Sequence, residues 1–264
     1  MKVALISFNP VWENKEDSKL KALELLQLAA TEQADWIIFP EMTLTGFSTS
    51  VQKCAEEPGN SESIRFFAEC ALKHGVYVSF GLALKKGDIA TNNLVTISPK
   101  GELIANYAKI HPFSHSKENE YYAGGKELVS ATICDVPAGM SICYDLRFPE
   151  MFQALSAQCK IIVNIANWPS SRGLHWNVFL QARAIENQAF FIGVNRTGTD
   201  GNNIVYQKSS TVFGPKGIKV EGHEVSPEVD VFELNVARAD EYRKAFPVRN
   251  DRKPELYAGF AKNC

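Results

Sequence analysis

Apolar and polar positions alternate over residues 2–8, the period-two pattern of a half-buried strand, and Asn9-Pro10 closes it with a turn. The period then lengthens. Leu20, Leu23, Leu26 and Ala30 recur at spacings of three and four, which predicts a one-faced helix to about Glu32, capped by Asp17 or Ser18. The strand expected over 35–39 carries Trp36-Ile37-Ile38-Phe39, apolar as if covered on both faces, and delivers Pro40-Glu41 at its end. Ile64, Phe67, Ala68, Ala71 and Leu72 predict a second amphipathic helix from Ser61, ended by His74-Gly75. Strands over 76–84, 93–98 and 102–110 follow, with turns at Lys86-Gly87-Asp88 and Pro99-Lys100-Gly101.

Strands over 128–134 and 138–142 lead to Cys143, and Pro149 stands in the first turn of a helix through about Ser156. The clearest buried strand covers 160–167 and ends in Trp168-Pro169-Ser170-Ser171-Arg172, a polar and aromatic loop expected to form a pocket wall. A helix over 174–189, a strand over 190–195 and a turn at 200–203 come next. Residues 209–213 and 218–221 read as a hairpin across Gly214-Pro215-Lys216-Gly217, 229–234 as the last strand, and 237–244 as a short helix. The tail from Phe246 is polar and aromatic, suited to lying over a surface or a neighbouring subunit. These α/β units mixed with antiparallel hairpins, undivided by repeat or linker, predict one domain over 1–264.

Composition narrows the partners. With 264 residues, 45% apolar and 22% charged, the chain can bury a full core. A net charge of −2, from 28 basic and 30 acidic residues with no basic run, argues against nucleic acid. No apolar run reaches membrane-spanning length and the first residues are too short for a signal segment, so a cytoplasmic protein is expected. Six cysteines without a CxxC pair disfavour a disulfide framework and a zinc site, leaving reduced thiols.

Cys143 sits at a sharp turn before the helix opened by Pro149. A helix N-terminus lowers a thiol pKa toward a nucleophilic thiolate, and a buried core cysteine is the plain alternative. Glu41 alone reads as a solvated loop glutamate or a capping partner, but the apolar flank Met42-Thr43-Leu44-Thr45-Gly46-Phe47 would desolvate its carboxyl, as suits a general base. Lys109 lies in an apolar-rich run, so it either snorkels outward or finds an internal partner. His111, on the same strand face, alone reads as a hydrogen-bonded structural histidine, and Glu118 and Glu120 as surface charges. Arg183 and Glu186, three apart on a helix, read as a structural ion pair. A thiol hydrolase needs a nucleophile, a base and an oxyanion stabiliser, and three strand ends offer Cys143, Glu41 and Lys109.

Phe39-Pro40-Glu41, Lys109-Ile110-His111 and Cys143-Tyr144-Asp145-Leu146-Arg147-Phe148-Pro149-Glu150 resemble the three signature segments of the nitrilase superfamily of carbon–nitrogen hydrolases. The likeness runs from Val3-Ala4-Leu5 through Gln181-Ala182-Arg183-Ala184-Ile185-Glu186-Asn187 and Asn195-Arg196-Thr197-Gly198. It implies an α/β fold, a four-layer αββα sandwich, with Glu41 as general base, Lys109 as oxyanion stabiliser and Cys143 as nucleophile. Glu118 matches the family's second glutamate, which positions Lys109 and the substrate. The resemblance also implies no metal or organic cofactor, no requirement for His111, and a homodimer or higher homo-oligomer formed through a helix-and-tail surface.

The Cys143–Glu150 segment and Asn167-Trp168-Pro169 are similar to the omega-amidase branch, which implies a small-molecule substrate, a short ω-amidodicarboxylate such as 2-oxoglutaramate or 2-oxosuccinamate. Arg147 is then a bidentate carboxylate clamp or a structural partner of Asp145 or Glu150. Tyr144, Trp168 and His175 are further pocket candidates. A nitrilase or an N-carbamoyl-amine hydrolase would use the same three residues, and a non-catalytic binding protein would keep only the fold.

Overall fold

Alternate residues of the first strand, β1 (Lys2–Ile6), enter two different cores. Val3 and Leu5 pack with Trp36, Ile38, Met140, Ile142 and Val163, whereas Ala4 and Ile6 pack with Ala22, Leu26, Ala29, Phe67 and Ala71. A strand buried on both faces therefore has a sheet on one side and helices on the other. The computed structural model describes residues 1–261, and Cys264 lies outside the described residues.

After β1 come α1 (Lys15–Thr31), β2 (Trp36–Ile38), α2 (Val51–Cys54), α3 (Glu62–His74), β3 (Tyr77–Lys86), β4 (Ile89–Ile97), β5 (Leu103–Ala108) and α4 (Glu118–Tyr121). The second half holds β6 (Ser130–Ile133), β7 (Val136–Ile142), α5 (Pro149–Leu155), β8 (Ile161–Ala166), α6 (Gly173–Asn187) and β9 (Phe190–Asn195). The short pair β10 (Gly198–Thr199) and β11 (Val205–Tyr206) precedes β12 (Thr211–Phe213), β13 (Gly222–Ser226), β14 (Val229–Glu233), α7 (Ala237–Ala245) and α8 (Pro254–Ala261). Among the described residues the larger sheet runs β13-β14-β1-β2-β3-β4-β5 and the smaller β12-β9-β8-β7-β6. Both are mixed: β1, β2 and β3 pair in parallel, as do β7, β8 and β9. The sheets face each other, with α1 and α3 outside the larger and α5 and α6 outside the smaller, giving an αββα sandwich.

Several elements differ from the sequence pattern. Asn14 caps α1 by accepting from the Asp17 N–H, so Asp17 and Ser18 lie inside the helix. Its inward face is Ser18, Ala22, Leu26 and Ala29, while Leu20 is 65% exposed. The backbone of Val11 exchanges hydrogen bonds with the Ser18 hydroxyl, which draws that polar residue inward and turns Leu20 out. In α3 Leu72 likewise faces out, and Cys70 takes an inward position. The expected hairpin across 214–217 forms as a short antiparallel bridge, Phe213 opposite Lys219, with the Gly214 N–H donating to the Ile218 carbonyl and the Val220 N–H to that of Val212. On its other side β12 pairs with β9, and the chain then crosses to the edge of the other sheet as β13. Helices α2 and α4, four residues each, are too short to show a period, and α8 forms within the tail. That tail is tied down by Gln188 Nε2 donating to the Phe246 carbonyl and by Arg249 donating to that of Ser156. No helix among the described residues is long and apolar enough to cross a membrane.

The parallel strands aim their C-terminal ends at one edge of the sandwich, where loops can converge on a ligand. Gly81 on β3 lets one such loop settle. A Cβ there would stand 2.5 Å from the Met42 nitrogen and 2.7 Å from Glu41 Cα. Gly81→Ala is therefore expected to lower stability by about 1–3 kcal/mol through forced backbone shifts, and to move Glu41. Urea denaturation beside an activity assay checks this, and an unchanged midpoint with full activity would show that the loop yields freely.

Candidate active site

Glu41, Lys109, Cys143 and Asn167 each stand within a few residues of the C-terminal end of their strand: β2, β5, β7 and β8 respectively. Glu41, Lys109 and Glu118 are at most 2% exposed. The Lys109 ammonium lies 2.8 and 3.0 Å from the two Glu118 oxygens and 3.3 Å from Glu41 Oε1. It thus finds an internal partner on either side. Burial opposes its charge, but Glu118, Glu41 and Cys143 together hold its pKa well above the usual lysine value.

Further donors fix the carboxylates. Asn92 Nδ2 donates to Glu41 Oε1 at 2.6 Å and to Glu118 Oε1 at 3.2 Å, and the Asn167 N–H donates to Glu41 Oε2 at 2.7 Å. The Phe113 N–H donates to Glu118 Oε2 at 2.7 Å. Glu118 opens α4 and points inward, whereas Glu120 is exposed near Lys117, which separates the two glutamates of this loop.

Cys143 begins a 3₁₀ turn, Cys143–Arg147, and has φ +47°, a region costly for a non-glycine residue. The turn directs the sulfur between the sheets, and the residue stays half-buried. Burial pushes the thiol pKa well above its usual value, Glu41 pushes it further by charge and hydrogen bonding, and Lys109 opposes them. The expected depression by a helix N-terminus is not found. The α-helix starts only at Pro149, and its field fades within its first turn. The resting group is a neutral thiol beside a carboxylate placed to take its proton.

A cavity of about 290 Å³ including its open mouth leads to the sulfur, lined in part by Phe113, Tyr144, Arg147, Trp168 and Arg172. The Arg147 guanidinium lies 4.9 Å from the Trp168 ring centre and 5.2 Å from that of Phe179. Among the described residues no carboxylate comes within ion-pair distance of it. Asp145 is occupied by Tyr107, His111 and the Ile142 N–H, and Glu150 is exposed, so the structural-partner alternative for Arg147 fails. His175 is exposed on α6 and contributes no cavity wall; its Nδ1 lies 3.4 Å from Arg147 Nη2. Arg183 and Glu186 pair at 3.1 Å, and Arg183 Nε also donates to the Leu146 carbonyl behind the turn.

Asn92 is a site residue that the sequence pattern does not single out, and Asn167 and Arg172 fall in segments it marks without giving either a role. Arg172 falls in the loop expected as a pocket wall, with its guanidinium 5.6 Å from the Phe113 ring centre. The two asparagines sit on or just past a strand, where a buried amide needs partners, and for Asn92 that is the one trace in the sequence. A larger cavity, beside Phe190, Pro215 and Tyr242, lies at the opposite end of β9 from this site.

A family model described as carbon–nitrogen hydrolase matches residues 2–244. The chain is 30% identical over 252 residues to the omega-amidase YafV of Yersinia enterocolitica, covering 95% of this chain and 96% of that one. It is 30% identical over 247 residues to the 2-oxoglutaramate amidase of Bacillus subtilis, with 92% and 94% covered. A CN-hydrolase superfamily protein from Xanthomonas campestris, solved with an arsenic adduct in its active site, superposes with a TM-score of 0.89 at 28% identity, covering 96% of this chain and 97% of that one.

A neutral resting thiol has a kinetic signature. Alkylation of Cys143 by iodoacetamide, followed by mass spectrometry, is expected to keep accelerating from about pH 6 to about pH 9, the range around a free thiol's pKa. Glu41→Gln removes the neighbour that raises the pKa and should shift the profile to lower pH. A plateau below about pH 7 in the wild type would instead indicate a preformed thiolate.

Proposed function

The chain belongs to the carbon–nitrogen hydrolase family, and within it we propose an omega-amidase that cleaves a short ω-amidodicarboxylate, such as 2-oxoglutaramate or 2-oxosuccinamate, to acid and ammonia. Arg147 carries this reading. A guanidinium with no carboxylate partner, held between aromatic faces at the cavity that reaches Cys143, suits the far carboxylate of such a substrate. Arg172 adds a second cation to the same wall, and its backbone carbonyl is held by the Trp168 indole N–H at 2.8 Å.

In the proposed mechanism Glu41 takes the Cys143 proton as the sulfur attacks the amide carbonyl. The Lys109 ammonium and the Tyr144 N–H, in the first turn of the 3₁₀ segment, receive the oxyanion. Collapse breaks the C–N bond, Glu41 hands its proton to the departing ammonia, and a thioester remains on Cys143. Glu41 then deprotonates a water that attacks the thioester, and the proton returns to the sulfur as the acid leaves. Glu118 keeps Lys109 charged and aimed throughout.

The reading extends to the assembly. Leu174, Val178 and Ile185 form an exposed apolar stripe on α6, and the tail runs along the neighbouring α5 side, a surface suited to a second copy in a homodimer. A cytoplasmic location suits the free thiols of Cys54, Cys70, Cys134, Cys143 and Cys159.

Ammonia release from 2-oxoglutaramate is expected in the wild type and should vanish in Cys143→Ala. Arg147→Met should lower kcat/KM for that substrate about 10–100-fold, the weight of a charged hydrogen bond, while sparing uncharged amides. Failure of every short ω-amide, or preference for nitriles or carbamoyl compounds, would overturn the assignment. Light scattering should give at least twice the chain mass, and a monomer would refute the assembly.

A further inference from the structure

Asp145, two residues past Cys143, is fully buried and takes part in no step of the chemistry above. Its carboxylate nevertheless accepts four hydrogen bonds, two on each oxygen. Oδ1 accepts from the His111 backbone N–H at 3.0 Å and pairs with His111 Nδ1 at 2.8 Å. Oδ2 accepts from the Tyr107 hydroxyl at 2.7 Å and from the Ile142 N–H at 3.0 Å. An ionised carboxylate has no proton to give, so Nδ1 carries the hydrogen. Burial and Asp145 together push the Tyr107 pKa far up, so the phenol stays a donor, and its oxygen accepts from the Ile110 N–H at 3.2 Å. The His111 ring is stacked on Phe148, with centres 3.9 Å apart and planes at 15°.

These donors come from two segments. Tyr107, Ile110 and His111 flank Lys109, whereas Ile142 immediately precedes Cys143. One buried carboxylate therefore ties the strand end that presents the ammonium to the turn that presents the sulfur. That turn needs restraint, because Cys143 holds a backbone conformation that its side chain disfavours. Asn167 links the two sheets nearby by donating to Glu41, but that link reaches the end of β2, whereas Asp145 joins the Lys109 strand end itself to the Cys143 turn.

We infer that Asp145, with His111 and Tyr107, forms a positioning clamp that sets Lys109 against Cys143 and thereby the rate of acylation, with His111 acting as an N–H donor and not as a base. This rests on reading Cys143 as nucleophile and Lys109 as its oxyanion partner. The clamp also makes each partner's role distinguishable. Asparagine at 111 places an N–H donor near the position of Nδ1 and has no titrating ring, whereas alanine supplies neither.

Steady-state kinetics on the amide that the wild type turns over best should show kcat about tenfold lower in His111→Ala and Tyr107→Phe, and about a hundredfold lower in Asp145→Asn, with KM within about twofold. His111→Asn should recover most of the His111→Ala loss. Circular dichroism and Tm check that each variant folds. A second readout needs no substrate: Lys109 lowers the Cys143 pKa, so releasing the clamp should slow iodoacetamide alkylation of Cys143 at about pH 8, and His111→Asn should restore it. General loosening of the fold would speed that reaction instead. The inference is overturned if His111→Asn is as impaired as His111→Ala, if His111→Ala and Tyr107→Phe keep full kcat, or if alkylation accelerates. Loss of omega-amidase activity from the wild type would sink the substrate assignment and leave the alkylation test standing.

Discussion

A lysine ammonium taken out of water is tolerable only beside opposite charge, and here it has two carboxylates. Lys109 lies between Glu118 and Glu41, all three at most 2% exposed, and this cluster is the constraint to which the rest of the site conforms. Removing one partner would strand a charge in the interior, so the segments bearing them must meet. Asn92 and Asn167 complete the arrangement by occupying carboxylate oxygens that water would otherwise have to reach. The buried charges thus fix the registration of the two sheets at the edge where their parallel strands end.

The same electrostatics decides the state of the sulfur. Burial and a net negative neighbourhood favour the protonated form of the half-buried Cys143, so in the proposed mechanism the nucleophile is made when it is needed, by transfer to Glu41, and is not stored as a thiolate. At the cavity mouth the balance reverses. Arg147 and Arg172 line a wall to which they bring positive charge without nearby carboxylates to offset it, and aromatic faces hold their guanidinium planes. An anionic end drawn to that wall would leave the amide at the inner end, next to the ammonium.

Much of the fold was legible because its strands are covered on both sides, and near-continuous apolar runs such as Ile161–Ala166, interrupted by the single buried Asn164, have few other uses. Amphipathic faces were harder. Leu20 and Leu72 match a helical period yet face outward, since the inward faces are Ser18, Ala22, Leu26 and Ala29 in α1 and Ser63, Phe67, Cys70 and Ala71 in α3. The stretch past Gly217 does pair back as a hairpin arm, but only briefly before the chain leaves for the other sheet, because the length of pairing depends on which edge is open and not on local propensity alone.

Sequence alone determined the chemical inventory: a cysteine at a turn, a glutamate after a buried strand, a lysine in an apolar run, and an arginine four residues past the cysteine. It carried these because residue type and short-range period are local properties. Tertiary structure alone decided what they do to one another. It buried Glu118 and left Glu120 exposed, gave Lys109 two carboxylates, raised the thiol pKa where the adjacent helix suggested the reverse, and left Arg147 without a carboxylate partner. Each of those outcomes depends on field and burial set by residues far apart in the chain; Glu41 and Asn167, for one, are 126 positions apart. No local pattern records such a distance closing to a hydrogen bond.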